Sequence, residues 1–365
     1  MMNCPHPSWI EIDLAQFQKN IRLIKKQIGS CLFCLPVKAN AYGHGLCPMA
    51  KAALDAGVDY LGVSCLQEGA LLRNSGIAAP ILVFGAIHED QIPDLIRYDL
   101  EFTISSPYKA DLVAAHSPPK PARIHLKVDT GMQRTGMRPD TALALFEKLQ
   151  HNPSFDIRGI YSHLATSDHP SDPTALAQID LFHSLTQHPT LYSKKLLYHL
   201  ANSGGVAHYP SSLHDMARPG ILAYGYLPPH APASLRAIRP CFSLKAKISY
   251  FKVVGPNQGI SYGHAYKTSG QTRIVTIPIG YGDGYRRALS NKGHVLIRGK
   301  RYPISGTICM DQFMVDIGQD EAYVGDEVTL IGKEIPLEEI ADLCDTITYE
   351  ILCGFNDRIP RVYKN

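Results

Sequence analysis

The sequence predicts an α/β chain, a (β/α)8 barrel followed by a C-terminal, mostly β domain. Three features point there. Eight short apolar runs alternate with helical patterns between Cys31 and Arg218, as a parallel barrel requires. A proline-rich stretch from Leu227, L-P-P-H-A-P-A-S-L-R-A-I-R-P, then breaks the pattern as a linker does. Beyond it the helical period fades and runs of period two take over. The expected domains are residues 11–232 for the barrel and 233–365, joined by an N-terminal strand within 1–10, for the β-rich part.

Taken in order, W-I-E-I-D from Trp9 reads as a short strand. Asp13 reads as a helix N-cap with Gln16 three residues on. Leu14, Phe17, Ile21, Ile24 and Ile28 form the buried stripe of the helix, which Gly29 ends. The eight runs start at Cys31, Tyr60, Pro80, Glu101, Ala122, Ile157, Lys195 and His214. They are nearly continuous in apolar residues, as strands buried on both faces are. The eighth is the weakest, and pattern alone also permits a doubly wound open sheet. D-T-A-L-A-L-F-E-K-L-Q from Asp140 and T-A-L-A-Q-I-D-L-F-H-S-L from Thr174 are helical. After the linker, F-S-L-K-A-K-I-S-Y-F-K-V-V, R-I-V-T-I-P-I-G-Y, H-V-L-I-R-G-K-R-Y and D-E-V-T-L-I-G read as strands. P-L-E-E-I-A-D-L-C and T-Y-E-I-L-C-G suggest two short helices, and R-I-P-R-V-Y a last strand.

A net charge of +3, with no run of five basic residues, is too weak for a nucleic-acid groove. The nine cysteines are scattered and odd in number. They suit small buried residues in a reducing cytosol. Cys31 and Cys34 have no second pair at ligand spacing, so no metal is expected. No apolar run approaches the ~20 residues of a membrane span, and the opening residues show no leader pattern. The expected location is the cytoplasm, with no membrane partner.

Barrel enzymes carry function where strands end. Lys38 ends the first run, inside V-K-A-N-A-Y-G-H-G, before a glycine-rich loop. Such a lysine is either a snorkelling surface residue or a desolvated amine able to form a Schiff base. The fifth strand ends with Lys127, Asp129 and Arg134, and the sixth with His163. The seventh offers Asn202 and Ser203, and the eighth Arg218. Singly, each has an ordinary structural reading. Together they place basic groups and a small polar turn on one face, where barrels often hold a phosphate.

Seven motifs then carry a specific resemblance: V-K-A-N-A-Y-G-H-G, H-L-K-V-D-T-G-M-Q-R-T-G, A-N-S-G-G, A-R-P-G-I, I-S-Y-G, P-I-G-Y-G-D-G-Y and C-M-D-Q. In type and order they resemble the alanine racemase family, and the likeness runs from W-I-E-I-D to R-I-P-R. The resemblance implies pyridoxal 5'-phosphate as cofactor, alanine as substrate and a head-to-tail homodimer with shared active sites. It makes Lys38 the Schiff-base lysine and one acid/base group, and Tyr262 of the other subunit the second. Tyr262 would take the proton from L-alanine and Lys38 from D-alanine. Arg218 would bond the pyridine nitrogen, and His163 would pack by the ring. Tyr42, Asn202, Ser203, Gly220 and Ile221 would line phosphate and ring. Arg134 and the backbone at Met310 would hold the substrate carboxylate, with Asp311 beside it. Lys127 matches a lysine that some members carry as a carbamate. Tyr281, and less well Tyr285, match the aromatic entrance. Some members place a phosphate-binding tyrosine before R-V-P-R; here that position is Asp357, whose ionised carboxylate would repel a phosphate.

Racemisation needs two proton carriers, one on each face of a flattened carbanion, because a single base returns the proton to the face it left. Two rival readings remain at this stage. One is a non-catalytic cofactor-binding barrel, which leaves the second domain with Tyr262 and Met310 unexplained. The other is a decarboxylase or aldolase on the same barrel, for which Arg218 is the wrong partner for the pyridine nitrogen. The resemblance covers D-alanine made for peptidoglycan precursors and alanine catabolism alike.

Overall fold

The structure is a computed structural model that describes residues 6–117, 120–192 and 195–365. The first five residues, read above for a leader, lie outside these. Contacts divide the chain into two units. One holds Gln16–Ala41 and Gly45–Pro240, the other the described residues up to Ala15, Tyr42–His44 and Cys241–Asn365. The chain thus changes unit at Ala15/Gln16, Ala41/Tyr42, His44/Gly45 and Pro240/Cys241. The linker residues up to Pro240 pack with the first unit. There Asn20, a buried polar residue on the helix Leu14–Ile28, donates to Ala223 O and Arg239 O.

In the first unit, eight parallel strands form the barrel: β2 (Leu32–Pro36), β3 (Tyr60–Val63), β4 (Ile81–Val83), β5 (Glu101–Ile104), β6 (Ala122–Lys127), β7 (Phe155–Tyr161), β8 (Leu197–His199) and β9 (Met216–Ala217). All eight coincide with the apolar runs. β3, β4 and β5 are buried at every residue, as strands covered on both faces must be. β9 has only two residues, which is why its run is faint. It pairs with β2 through Leu32–Met216 and Phe33–Ala217. Two backbone bonds join its flanks to β8: Asp215 N to Tyr198 O at 3.0 Å and Arg218 N to Ala201 O at 2.8 Å. The second of these fixes Arg218 at the strand end.

The helix Leu14–Ile28 buries Phe17, Ile21, Ile24 and Ile28 on the expected stripe. Gln16 donates to Asn20 Oδ1. The helix Pro173–Thr186 starts on Asp172, whose side chain accepts from Thr174 N and Ala175 N, an ordinary N-cap followed by proline.

The second unit is built on two sheets. The larger runs β16 (Lys300–Pro303), β15 (His294–Ile297), β18 (Glu327–Ile331), β10 (Phe242–Lys247), β1 (Ser8–Asp13) and β19 (Arg361–Lys364). Here β1 lies antiparallel to β10 and parallel to β19. The smaller runs β11 (Tyr250–Val254), β14 (Thr272–Ile277) and β17 (Phe313–Asp316). A two-residue pair, β12 (Gly259–Ile260) and β13 (Tyr266–Lys267), flanks Tyr262. The helices Leu337–Leu343 and Thr348–Gly354 stand where the pattern put them.

Candidate active site

After β2 the backbone turns left-handed. Ala39, Asn40, Ala41 and Tyr42 have φ of 52°, 54°, 53° and 52°. Runs of αL are rare, because each L-residue there costs roughly 1–2 kcal/mol. Side chains hold the turn. Asn40 Oδ1 accepts from Leu46 N at 2.7 Å, and its carbonyl accepts from Gly45 N at 2.8 Å. Glu68 Oε1 accepts from Ala39 N at 2.7 Å, while its Oε2 accepts from Ser64 N and Ser64 Oγ at 2.8 and 3.0 Å. Lys38 is therefore mounted on a strained turn clamped to the loop after β3. Tyr42 is buried beside Tyr349, ring centroids 5.8 Å apart, and burial raises its phenol above the usual range.

Basic groups gather within the barrel unit. Burial, then Arg218 and Arg134, lower the buried Lys127 amine to about 7. This amine lies 4.5 Å from the Tyr161 ring centroid. His163 is held well below the ordinary imidazole value by burial and by Arg218, Lys127, Arg134 and Lys38. Arg134 is carried on an excursion from β6 that closes through Asp129 N to Met137 O and Met137 N to Lys127 O. Asp129 Oδ1 braces it by accepting from Gly131 N and Gln133 N.

Arg218 is the most constrained of these groups. Nη1 donates to His199 Nδ1 at 2.8 Å, and Nη2 donates to Ser162 O at 2.6 Å and Leu200 O at 3.2 Å. Nη2 also lies 3.4 Å from His163 Nδ1, and neither Nε nor the second Nη1 hydrogen takes part in these bonds. Behind Arg218, His199 Nε2 lies 2.9 Å from His125 Nδ1, and His125 Nε2 lies 2.8 Å from Glu101 Oε2. Tyr161 stacks flat on His199 at 4.7 Å and bonds Thr103 Oγ1 at 2.7 Å.

Two small-residue turns complete this face. Asn202 Oδ1 caps Gly205 N and accepts from Ser167 Oγ. Ser203 Oγ accepts from Leu222 N at 3.3 Å and so ties the loop after β8 to the Gly220–Ile221 turn after β9. Gly204 has no room for a side chain, since a Cβ would meet Ser167 O at 2.4 Å.

The second unit carries the remaining expected residues. Tyr262 is 74% exposed. It shares a cavity of about 640 Å³ with Ser261, His264, Cys309, Met310 and Asp311. Ser261 has φ 66° and donates to Thr307 O, while Thr307 Oγ1 donates to Tyr262 O. The bond from Cys309 N to Gln312 O makes a tight turn with Met310 and Asp311 at its tip. Tyr281 N and Gly282 N donate to Cys309 O and Met310 O. Gly280 must be glycine here, because a Cβ would meet Cys309 O at 2.2 Å. Asp311 pairs with Arg358 at 2.8 Å, which also reaches the buried Asp283 at 3.3 Å. Tyr281 is 45% exposed. Tyr285, expected at the entrance, is instead a core residue, buried where its ring stacks on Phe313 at 5.3 Å. Asp357 is 93% exposed at its side chain and faces Arg361 at 3.5 Å.

Comparison with known proteins agrees with this layout over both units. The alanine racemase N-terminal domain model matches residues 12–228, and the C-terminal domain model matches residues 241–363. The chain belongs to the alanine racemase family. The alanine racemase of Halothermothrix orenii is 39% identical over 98% of this chain and 97% of its own length. That of Desulfovibrio desulfuricans is 39% identical over the whole of both. Among solved structures, alanine racemase of Clostridium difficile 630 superposes with a TM-score of 0.93 at 35% identity, covering 99% of this chain and 97% of that one. The enzyme of Streptomyces lavendulae gives 0.91 at 33%, covering 100% and 98%. Family membership removes the open-sheet alternative. Glu68, Glu101, His125 and His199 brace this face without standing among the residues expected from the sequence. His125 and His199 did leave a signal: each is a histidine inside an apolar barrel strand. Glu68 left none, because its partner Ala39 is 29 residues away.

Proposed function

We propose that the protein interconverts L- and D-alanine, with pyridoxal phosphate held in the barrel and with proton carriers drawn from two subunits. The residues present fit this cofactor. Four basic side chains, Lys38, Lys127, Arg134 and Arg218, act on the His163 imidazole, so the face calls for anionic ligands. A phosphate group and a substrate carboxylate supply that charge. Lys38 would carry the cofactor. Arg218 would donate to the pyridine nitrogen, as the family resemblance implies, and His163 would pack on the ring as a neutral imidazole. Tyr42, Asn202, Ser203, Gly220 and Ile221 would line the phosphate and ring. Asp357 is left out, since it is exposed and faces Arg361.

When bound, the cofactor supplies a conjugated system that withdraws electrons from the α-carbon. The chain's own groups do the rest. The Lys38 amine takes or returns the α-proton on one face, and the Tyr262 phenol of the other subunit does so on the opposite face. Arg134 and the Met310 backbone N–H hold the carboxylate, and Tyr281 narrows the entrance. A guanidinium stays protonated, so Arg218 donates to the pyridine nitrogen without protonating it. Lys127, whose amine titrates at about 7, is partly neutral at physiological pH, and a neutral amine is the form that adds carbon dioxide.

The observation that carries this reading is family identity across both units, which brings Lys38 and Tyr262 into one chain. Chiral chromatography of protein incubated with L-alanine should show D-alanine rising to near parity. Borohydride followed by peptide mapping should place the label on Lys38. Tyr262→Phe should keep the label while kcat falls by roughly 10²–10⁴-fold. A label on another lysine, or full activity in Tyr262→Phe, overturns the reading.

A further inference from the structure

We propose that Glu101 is a positioning residue for Arg218, acting through the tautomers of His125 and His199. The inference rests on the reading that Arg218 serves the cofactor. Glu101 opens β5 and is 1% exposed, inside the barrel wall. A carboxylate there is costly to desolvate. Its Oε1 has no hydrogen-bond partner among the described residues, and Arg158 Nε lies 3.9 Å from it. Its Oε2 is the oxygen that is used, 2.8 Å from His125 Nε2.

The geometry fixes every proton along the chain. A guanidinium only donates, so His199 Nδ1, 2.8 Å from Arg218 Nη1, must accept. Burial and Arg218 keep His199 neutral, so its single proton sits on Nε2. That proton points at His125 Nδ1, 2.9 Å away, which must therefore be bare. The proton of His125 is then on Nε2 and is donated to Glu101. Three bonds run in one direction, from Arg218 through two imidazoles to a carboxylate.

Removing the acceptor at the far end leaves Arg218 alone to hold the direction of the chain. If His125 takes the Nδ1–H form, His199 must present Nε2 as acceptor and carry its proton on Nδ1. A donor would then face the Arg218 guanidinium at 2.8 Å, and Arg218 would have to move. Glu101 thus sets the orientation of a cation that it does not touch. Histidine tautomers are set in this way by the partner of the other ring nitrogen.

Two experiments on the holoenzyme test this. Neutron diffraction from crystals of the unaltered protein should place deuterons on Nε2 of both His125 and His199, and a deuteron on Nδ1 of either overturns the proposal. Glu101→Gln, whose amide can offer a donor as well as an acceptor, should lower kcat for alanine by roughly tenfold or more. KM should hold within about twofold, because Arg134 and Met310 hold the substrate. In an Arg218→Lys background the same change should cost less than about twofold, since the forked donor that it orients is gone. Equal losses in both backgrounds indicate a merely structural role and overturn the proposal. Failure of the unaltered protein to carry cofactor on Lys38 sinks the functional reading instead, and leaves the deuteron positions to decide the tautomers.

Discussion

At the scale of single residues, the barrel face is an assembly of cations that would repel one another without an anion among them. Lys127 shows the cost most clearly. Its amine is buried over Tyr161 and titrates at about 7, against an ordinary value of 10.5. Below pH 7 it is protonated in both folded and unfolded chains, so the folded state bears the full burden of a buried charge. Between about 7 and 10.5 the folded chain has released its proton while the unfolded chain still holds it, and stability rises with pH across that window. Lys127→Met, in cofactor-free protein kept free of carbon dioxide, should therefore melt at a higher temperature than the unaltered chain at pH 6. That advantage should shrink as pH rises from 7 towards 10. Thermal melts at four or five pH values check this, and an advantage that grows with pH would refute it. Asp357 shows the opposite case, a charge kept out of the cluster at an exposed position beside Arg361.

At the scale of elements, the turn after β2 converts local strain into placement. Four successive non-glycine residues sit at φ near 50°, and Ala39 among them is exposed, so its side chain contributes no packing. Ala39→Gly should relieve about 1 kcal/mol of strain, partly offset by the added freedom of the unfolded chain. The protein should be at least as stable, yet kcat should fall severalfold as Lys38 loses its rigid mount. Asn40→Ala should instead cost about 1 kcal/mol by removing the bond to Leu46 N. Calorimetry with steady-state kinetics separates the two, and loss of stability in Ala39→Gly would count against strain as the device. None of this turn is legible in the sequence, where K-A-N-A-Y reads as an ordinary loop. By contrast, all eight barrel strands and both C-terminal helices are legible, because burial on two faces and amphipathic periods write themselves into apolar spacing. β17 and the β12–β13 pair are missed. The site residues at strand ends are legible as motifs. Glu68 and Glu101 are not, because each acts on a residue far off in sequence.

At the scale of the whole molecule, Lys38 lies in one unit and Tyr262 in the other. If a complete site takes its amine from one subunit and its phenol from the other, activity becomes a property of pairs. Chains with Lys38→Ala and chains with Tyr262→Phe should each be inactive as pure dimers. Mixed dimers have two unlike sites. The barrel of the Lys38→Ala chain lacks its amine and receives a phenylalanine, so that site is doubly dead. The barrel of the Tyr262→Phe chain keeps Lys38 and receives an intact Tyr262, so that site is whole. Random pairing of equal amounts gives half mixed dimers, each with one good site of two, or about a quarter of the unaltered specific activity. Co-expression with two different affinity tags isolates the mixed species, for which about half is expected. No recovery in that species means that each site draws both groups from a single chain, and the division of labour between subunits would have to be abandoned while the barrel chemistry stood.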